Sequence, residues 1–183
     1  MSILLAFAPF IVFAVLDRIV GPAEALAAGA AVSAALIIRD LVGPGRSVKV
    51  LEAGTFALFA GLALYTLLSG AIWSVIGVRL CVDAGLLLVV LASMAAGRPF
   101  TLQYARNQVA PEFWHRPEFI RTNYVITGAW ALAFAVMVLA ELALLYMPGL
   151  PPRAGVVAIV LALVGAVKFT GWYPEREKQR IAD

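Results

Sequence analysis

The segment TNYVITGAWALAFAVMVLAELALLYM, residues 122–147, contains one charged side chain, Glu141. A helix needs about 20 predominantly apolar residues to cross a lipid bilayer, so this segment predicts a membrane span. The whole chain has the same character, since 63% of its 183 residues are hydrophobic, 14% are charged and the mean hydropathy is +0.94. A small soluble domain leaves too much surface exposed to hide so many apolar side chains. The sequence therefore predicts an all-α integral membrane protein, with residues 1–183 forming one transmembrane domain.

Six apolar segments have the composition of membrane spans. They are residues 3–16, 22–38, 50–68, 72–96, 122–147 and 152–172. The first is short unless its helix continues past Asp17 and Arg18. The third and fourth share an uncharged run, residues 53–78, which leaves two alternatives for the turn between them. The chain turns at Ser69 and Gly70, so that the fourth helix carries Arg79, or it turns near Gly77; both alternatives give six crossings.

The orientation follows from the positive charges, because Lys and Arg are enriched in cytoplasmic loops. Six spans place ten of these residues on the side that holds both termini and two, Arg18 and Arg153, on the other side. The ten are Arg39, Arg46, Lys49, Arg98, Arg106, Arg116, Arg121, Arg176, Lys178 and Arg180. Both termini are therefore predicted to be cytoplasmic, with residues 174–183 as a short charged tail.

Several functional classes lack their sequence signatures. The single Cys and single His provide neither a disulfide framework nor a zinc-binding pattern. No glycine-rich nucleotide loop is present. We expect no cofactor and no metal. The net charge of +3 is explained by the loop charges above, so we expect no nucleic-acid partner.

Polar side chains share one face of the fifth predicted span. Asn123, Thr127, Trp130, Phe134 and Glu141 fall within a sector of about 60° on a helix that advances 100° per residue. Ionisable groups inside membrane spans are costly and are functional candidates by default. The face either lines a path for a solute or a proton, or packs against neighbouring helices with Glu141 paired to a cation.

Arg79 and Asp83 are a second intramembrane candidate. Their spacing of four residues would place them on one helix face, where they could pair. Arg79 could instead reach Glu141 if both lie at the same depth. The alternative is that Arg79 lies at the outer interface with Asp83 just below it.

Residues 98–121, RPFTLQYARNQVAPEFWHRPEFIR, form a long cytoplasmic connection between the fourth and fifth spans. Aromatic rings interleaved with arginines are typical of the headgroup layer. The segment predicts an amphipathic helix on the inner leaflet; the alternatives are a docking surface for a cytoplasmic or membrane partner, or a gate over an inner cavity. Its candidate residues are Phe100, Tyr104, Arg106, Phe113, Trp114 and Phe119.

Small residues recur at every fourth position in three spans. They are Ala27, Ala31 and Ala35 in the second, Ala53, Ala57 and Gly61 in the third, and Ala158, Ala162 and Ala166 in the sixth. This spacing allows helix backbones to approach closely. It indicates a compact bundle or a homo-oligomer.

Several short motifs lie along the chain in a familiar order. The chain has an apolar opening at residues 8–13, APFIVF, and a fourth span that ends in Arg98 and Pro99. Trp114 follows, then Asn123 at the start of the fifth span and Trp130 further within it. In these features the chain resembles the intracellular septation protein A family of inner membrane-spanning proteins. The resemblance implies a multi-pass protein of the bacterial inner membrane that acts in envelope synthesis and septation through contacts with division and elongation proteins. It implies no catalytic residues.

Two functional hypotheses follow. In the first, a non-enzymatic membrane protein acts through helix and loop contacts with its partners and with the lipid bilayer. In the second, a small-solute or proton-coupled transporter or channel uses Asn123, Thr127 and Glu141 to line its path. No nucleophile–base pair or carboxylate dyad predicts an enzyme.

Overall fold

The computed structural model describes residues 3–43, 48–147 and 149–182, with the side chains of residues 5–43, 48–147 and 149–177. Arg46, one of the cations counted above, lies outside these ranges. The described residues form α-helices and short 3-10 turns, with no β-strand among them. The helices are α1 (Ala8–Leu16), α2 (Pro22–Val42), α3 (Val50–Ser69), α4 (Val75–Ala95), α5 (Phe100–Arg106), α6 (Pro117–Tyr146) and α7 (Pro152–Ala182).

Five of these helices, α2, α3, α4, α6 and α7, are long and apolar enough to cross a membrane. This confirms the predicted all-α, multi-pass architecture. The first predicted span is shorter. The 3-10 turn Ile3–Phe7 and α1 together extend about 24 Å at about 2.0 and 1.5 Å per residue, less than the ~30 Å hydrocarbon core. Because α1 ends at Leu16, a sixth crossing stays a prediction.

The turn between α3 and α4 lies at the first of the two predicted positions. Helix α3 ends at Ser69, and Gly70 follows with a left-handed φ of 65°, which glycine adopts without steric cost. The indole of Trp73 donates a hydrogen bond to the Thr66 hydroxyl at 2.6 Å. This bond attaches the connection between α3 and α4 to the last turn of α3. Helix α4 then begins at Val75 and carries both Arg79 and Asp83.

The chain divides into two compact units, Met1–Val89 and Val90–Asp183, with the boundary inside α4. In the first unit the ring of Phe59 on α3 is the centre of the packing. It lies 5.1 Å from the ring of Phe10 and 5.5 Å from that of Phe13, both on α1. It also covers Gly29 of α2, where an added Cβ would lie 2.8 Å from a ring carbon. Helices α1, α2 and α3 therefore meet at one aromatic cluster.

The packed faces of α2 and α3 are not the faces with the small-residue repeats. Helix α2 buries Ala25, Gly29 and Ser33, whereas Ala27, Ala31 and Ala35 are exposed. Two residues correspond to about 200° of rotation, so the two sets lie on opposite sides of the helix. On α3 the repeat Ala53, Ala57 and Gly61 is likewise exposed. The first unit thus leaves two small-residue faces uncovered.

In the second unit, α6 and α7 form an antiparallel pair. The Trp130 indole donates a hydrogen bond to the Thr170 hydroxyl at 2.9 Å, and Leu144 packs on Gly155 near the other end. Here the small-residue repeat does turn inward, because Ala166 is buried. Helix α7 continues through Pro174 to Ala182, so the predicted charged tail is helical over its described residues.

The predicted cytoplasmic segment is not one amphipathic helix. After α4, Gly97 has a φ of 72° and the Arg98 amide donates to the Ser93 carbonyl at 3.0 Å, which closes the helix. Helix α5 then packs inward and buries Phe100 and Tyr104. A turn at residues 107–116 follows, and α6 begins at Pro117. Phe100 and Tyr104 therefore do not belong to an exposed interfacial surface, because their rings are buried in the second unit.

Candidate functional site

The predicted polar face of α6 is buried along its whole length. Asn123, Thr127, Trp130, Phe134 and Glu141 are all among the buried residues of this helix. The first four lie close together at the end where α5 and the last turns of α7 pack. Glu141 lies five residues before the end of α6 at Tyr146.

Three of these side chains form hydrogen bonds within the second unit. The Thr127 and Thr101 hydroxyls lie 2.8 Å apart, and the Thr101 hydroxyl also donates to the Asn123 carbonyl at 2.9 Å. The Asn123 amide donates to the Phe119 carbonyl at 2.8 Å. Together with the Trp130–Thr170 bond, these contacts attach α5 and α7 to α6. The polar face of α6 thus serves helix packing at this end, as interhelical polar contacts do in membranes.

Glu141 is the remaining candidate on this face. Its side chain is buried, with a relative exposure of 4%, in a helix whose neighbouring residues are apolar. A carboxylate in such a place has to be protonated, paired or hydrated. It is the one residue of the α6 face whose chemistry is suited to carrying a proton.

Arg79 pairs with Asp17, which is not among the partners predicted for it from the sequence. The Arg79 guanidinium lies 2.9 Å from Oδ2 of Asp17 at the end of α1. The Asp17 side chain is completely buried, and its Oδ1 accepts no hydrogen bond from the described residues. The pair joins α1 to the first turns of α4. Asp83 is also buried, one turn further along α4; pairing of Arg79 with Asp83 or Glu141 stays a prediction.

A second charged cluster joins the ends of α2 and α3. Lys49 forms ion pairs with Asp40 and with Glu52, the latter at 3.3 Å, and Arg39 pairs with Asp40 at 2.7 Å. Glu52 is fully buried and Lys49 nearly so. Two cations and two carboxylates balance in charge. Arg39 and Lys49 are predicted from the sequence only as loop charges. The sequence signal for an ion-pair cluster is Asp40 next to Arg39 and Glu52 three residues after Lys49.

Two arginines stack on aromatic rings at the turn formed by residues 107–116: Arg106 lies just before the turn and Arg116 at its end. The Arg106 guanidinium lies 5.5 Å from the centre of the Trp114 ring, and that of Arg116 lies 4.5 Å from the centre of the Phe113 ring. The Trp114 indole donates to the Val109 carbonyl at 3.1 Å, which fixes the ring. Both rings and Phe119 are half-buried, and Arg116 is exposed. Of the predicted interfacial residues, the four that are partly exposed are Arg106, Phe113, Trp114 and Phe119.

No group of three or more metal-ligating side chains occurs in the part of the chain that the structure describes. Comparison with known protein families, curated proteins and solved structures finds no match to this chain.

Proposed function

We propose that this chain is a non-enzymatic, multi-pass protein of the bacterial inner membrane that acts in envelope synthesis and septation. It acts by binding other membrane proteins, or a second copy of itself, through the exposed small-residue faces of α2 and α3. The observation that carries this proposal is that neither face is used by the first unit for its own packing. The resemblance to the septation family supplies the choice of process.

The arrangement of α2 and α3 supports a role in contacts. Their mutual packing uses Gly29 and Phe59, which leaves Ala31 and Ala57 on faces turned to the surroundings. Small residues at spacings of four let a partner helix approach closely and gain van der Waals contact. Lipid tails gain little from such shallow faces, so a partner helix is the better occupant.

The positive charges support a cytoplasmic C-terminus. All ten cations of the predicted inner side lie in or beside the α2–α3 connection, the α4–α6 connection and the end of α7. If each of the five long helices crosses the membrane, these three regions lie on one side, so the proposed orientation does not depend on whether α1 crosses.

Gly61 and Gly165 offer a matched pair of variants for testing the proposal. Both glycines lie in long helices, both are exposed, and an added Cβ would meet nothing within 4 Å at either. In a strain that lacks the gene and has an envelope or division defect, Gly61→Leu should fail to restore normal growth, while Gly165→Leu should restore it. Equal restoration by both variants, at equal protein levels, would contradict the proposal.

The buried carboxylate of Glu141 favours a second candidate, a proton-coupled transporter or channel. In proteoliposomes, Glu141→Gln would then abolish a pH-dependent flux that the wild type carries, without loss of folded protein. A structural Glu141 predicts no wild-type flux, and a modest loss of stability of about 1–3 kcal/mol in the variant if its partner charge is buried. Size-exclusion chromatography and thermal unfolding distinguish the two results.

A further inference from the structure

Several cations of the two units differ in the groups that they contact. In the first unit, Arg39, Lys49 and Arg79 all pair with carboxylates. In the second unit, Arg106 and Arg116 stack on aromatic rings instead, and their described surroundings contain no carboxylate within ion-pair distance. Their guanidinium groups therefore lack an anionic partner from this part of the chain.

Arg106 is the less satisfied of the two. Its Nε is buried and has no hydrogen-bond partner. An unsatisfied buried donor is costly, and the cost is greater for a charged group. The neighbouring acidic residues Glu112 and Glu118 are exposed and do not pair with it. The Arg106 residue as a whole is half-buried and Arg116 is exposed, so an acceptor from outside the protein can approach these two side chains.

The position of the turn identifies that acceptor. Apolar sequence begins at residue 122, and Arg116 lies immediately before α6, so the turn is about 9 Å from the start of the apolar stretch at 1.5 Å per residue. Headgroups occupy the layer just outside the hydrocarbon core. A third arginine stacks on a ring in the same way: the Arg176 guanidinium lies 4.9 Å from the centre of the Trp172 ring. Helices α6 and α7 are antiparallel, so Arg176 lies at the end where α6 begins. If α6 and α7 cross the membrane, these stacked arginines lie at the level of the lipid phosphates.

We propose that Arg106, at the end of α5, and Arg116, at the end of the turn, together bind the phosphate of an anionic phospholipid. The planar guanidinium donates two parallel hydrogen bonds to phosphate oxygens. Trp114 and Phe113 hold the two groups in place, so little side-chain entropy is lost on binding. Anionic lipids are present at the cytoplasmic membrane surface, where the proposed topology puts this segment. This inference does not depend on the protein contacts proposed above.

The test uses the full chain in detergent, with phosphatidylglycerol or phosphatidylcholine added, and counts bound lipid by native mass spectrometry. The wild type should retain phosphatidylglycerol in preference. Each arginine contributes a factor of about five near an anionic surface, so Arg106→Gln with Arg116→Gln should lower phosphatidylglycerol affinity about 25-fold. The control, Arg18→Gln with Arg153→Gln, removes the same charge from exposed positions at the opposite side of the predicted topology and should change it less than twofold.

Three results would overturn the proposal. They are equal retention of the two lipids by the wild type, an equal loss in the control variant, and unchanged lipid binding in a 106/116 variant that loses a protein partner instead. If the glutamine variant does not fold, Arg106→Lys with Arg116→Lys keeps both charges. That variant should still lose part of the preference, because lysine lacks the planar pair of donors; full retention would exclude recognition by the guanidinium groups.

Discussion

Asp17 and Arg79 form an ion pair between residues 62 positions apart in the sequence, and it attaches the short helix α1 to the long helix α4. Removing Arg79 leaves the buried Asp17 carboxylate without its cation. We expect Arg79→Gln to lower the free energy of unfolding by about 2–3 kcal/mol, less than the ~3–5 kcal/mol of a fully buried pair, since the guanidinium is 23% exposed.

A double-mutant cycle checks this pair in detergent unfolding titrations. Asp17→Asn combined with Arg79→Gln should cost less than the sum of the single changes. Arg153→Gln, at an exposed position, is the control and should change little. Additive effects of the two single changes would show that the residues do not act together.

Lys49 and Arg39 belong to one cluster but differ in burial. The Lys49 side chain is 6% exposed and that of Arg39 is 39% exposed. Lys49→Met leaves the carboxylates of Asp40 and Glu52 close together without their shared ammonium group, and should cost about 3–5 kcal/mol. Arg39→Gln should cost below about 1 kcal/mol, as an exposed pair does. The same unfolding titrations measure both variants. An equal loss of unfolding free energy in Lys49→Met and Arg39→Gln would contradict the described difference in burial.

At the residue scale, sequence reasoning succeeds where helix geometry alone decides. The face that joins Asn123, Thr127 and Glu141 follows from a rotation of 100° per residue, and α6 buries it. The partners of Arg79 and Lys49 depend instead on which helices are neighbours. That information is not contained in the spacing of charges along the chain.

At the scale of elements, the packing of α3 on α4 depends on a glycine. An added Cβ on Gly54 would lie 2.6 Å from Cγ1 of Val89 and 3.3 Å from its Cβ. A valine in a helix is restricted to one rotamer, so it cannot move away. We expect Gly54→Ala to lower the thermal unfolding temperature. Gly165→Ala meets no neighbour and should raise it slightly, since alanine favours helix by about 1 kcal/mol; the reverse order would contradict the α3–α4 contact.

The small-residue repeats illustrate why element faces are hard to predict. Helix α2 carries two such repeats on opposite sides, one through Ala25, Gly29 and Ser33 and the other through Ala27, Ala31 and Ala35. Periodicity does not distinguish them. The ring of Phe59 does, because it needs the space above Gly29.

At the scale of the whole molecule, the proposed orientation rests on the five long helices and on the positive charges between and after them. Reporter fusions within residues 107–116 and after Asp183 should both report the cytoplasm. A fusion before Ile3 locates the N-terminus and so decides whether α1 crosses. A periplasmic signal from either of the first two fusions would reverse the proposed orientation.

Intramembrane photo-crosslinking in living cells tests the central claim most directly. A photoreactive side chain is placed at Ala57, on the exposed small-residue face of α3, and separately at Gly165, on an exposed face of α7. We predict that position 57 crosslinks to a second copy of the chain or to a membrane protein of envelope synthesis or division, and that position 165 crosslinks to lipid. Protein crosslinks that are absent from position 57, or equally frequent at both positions, would contradict the account.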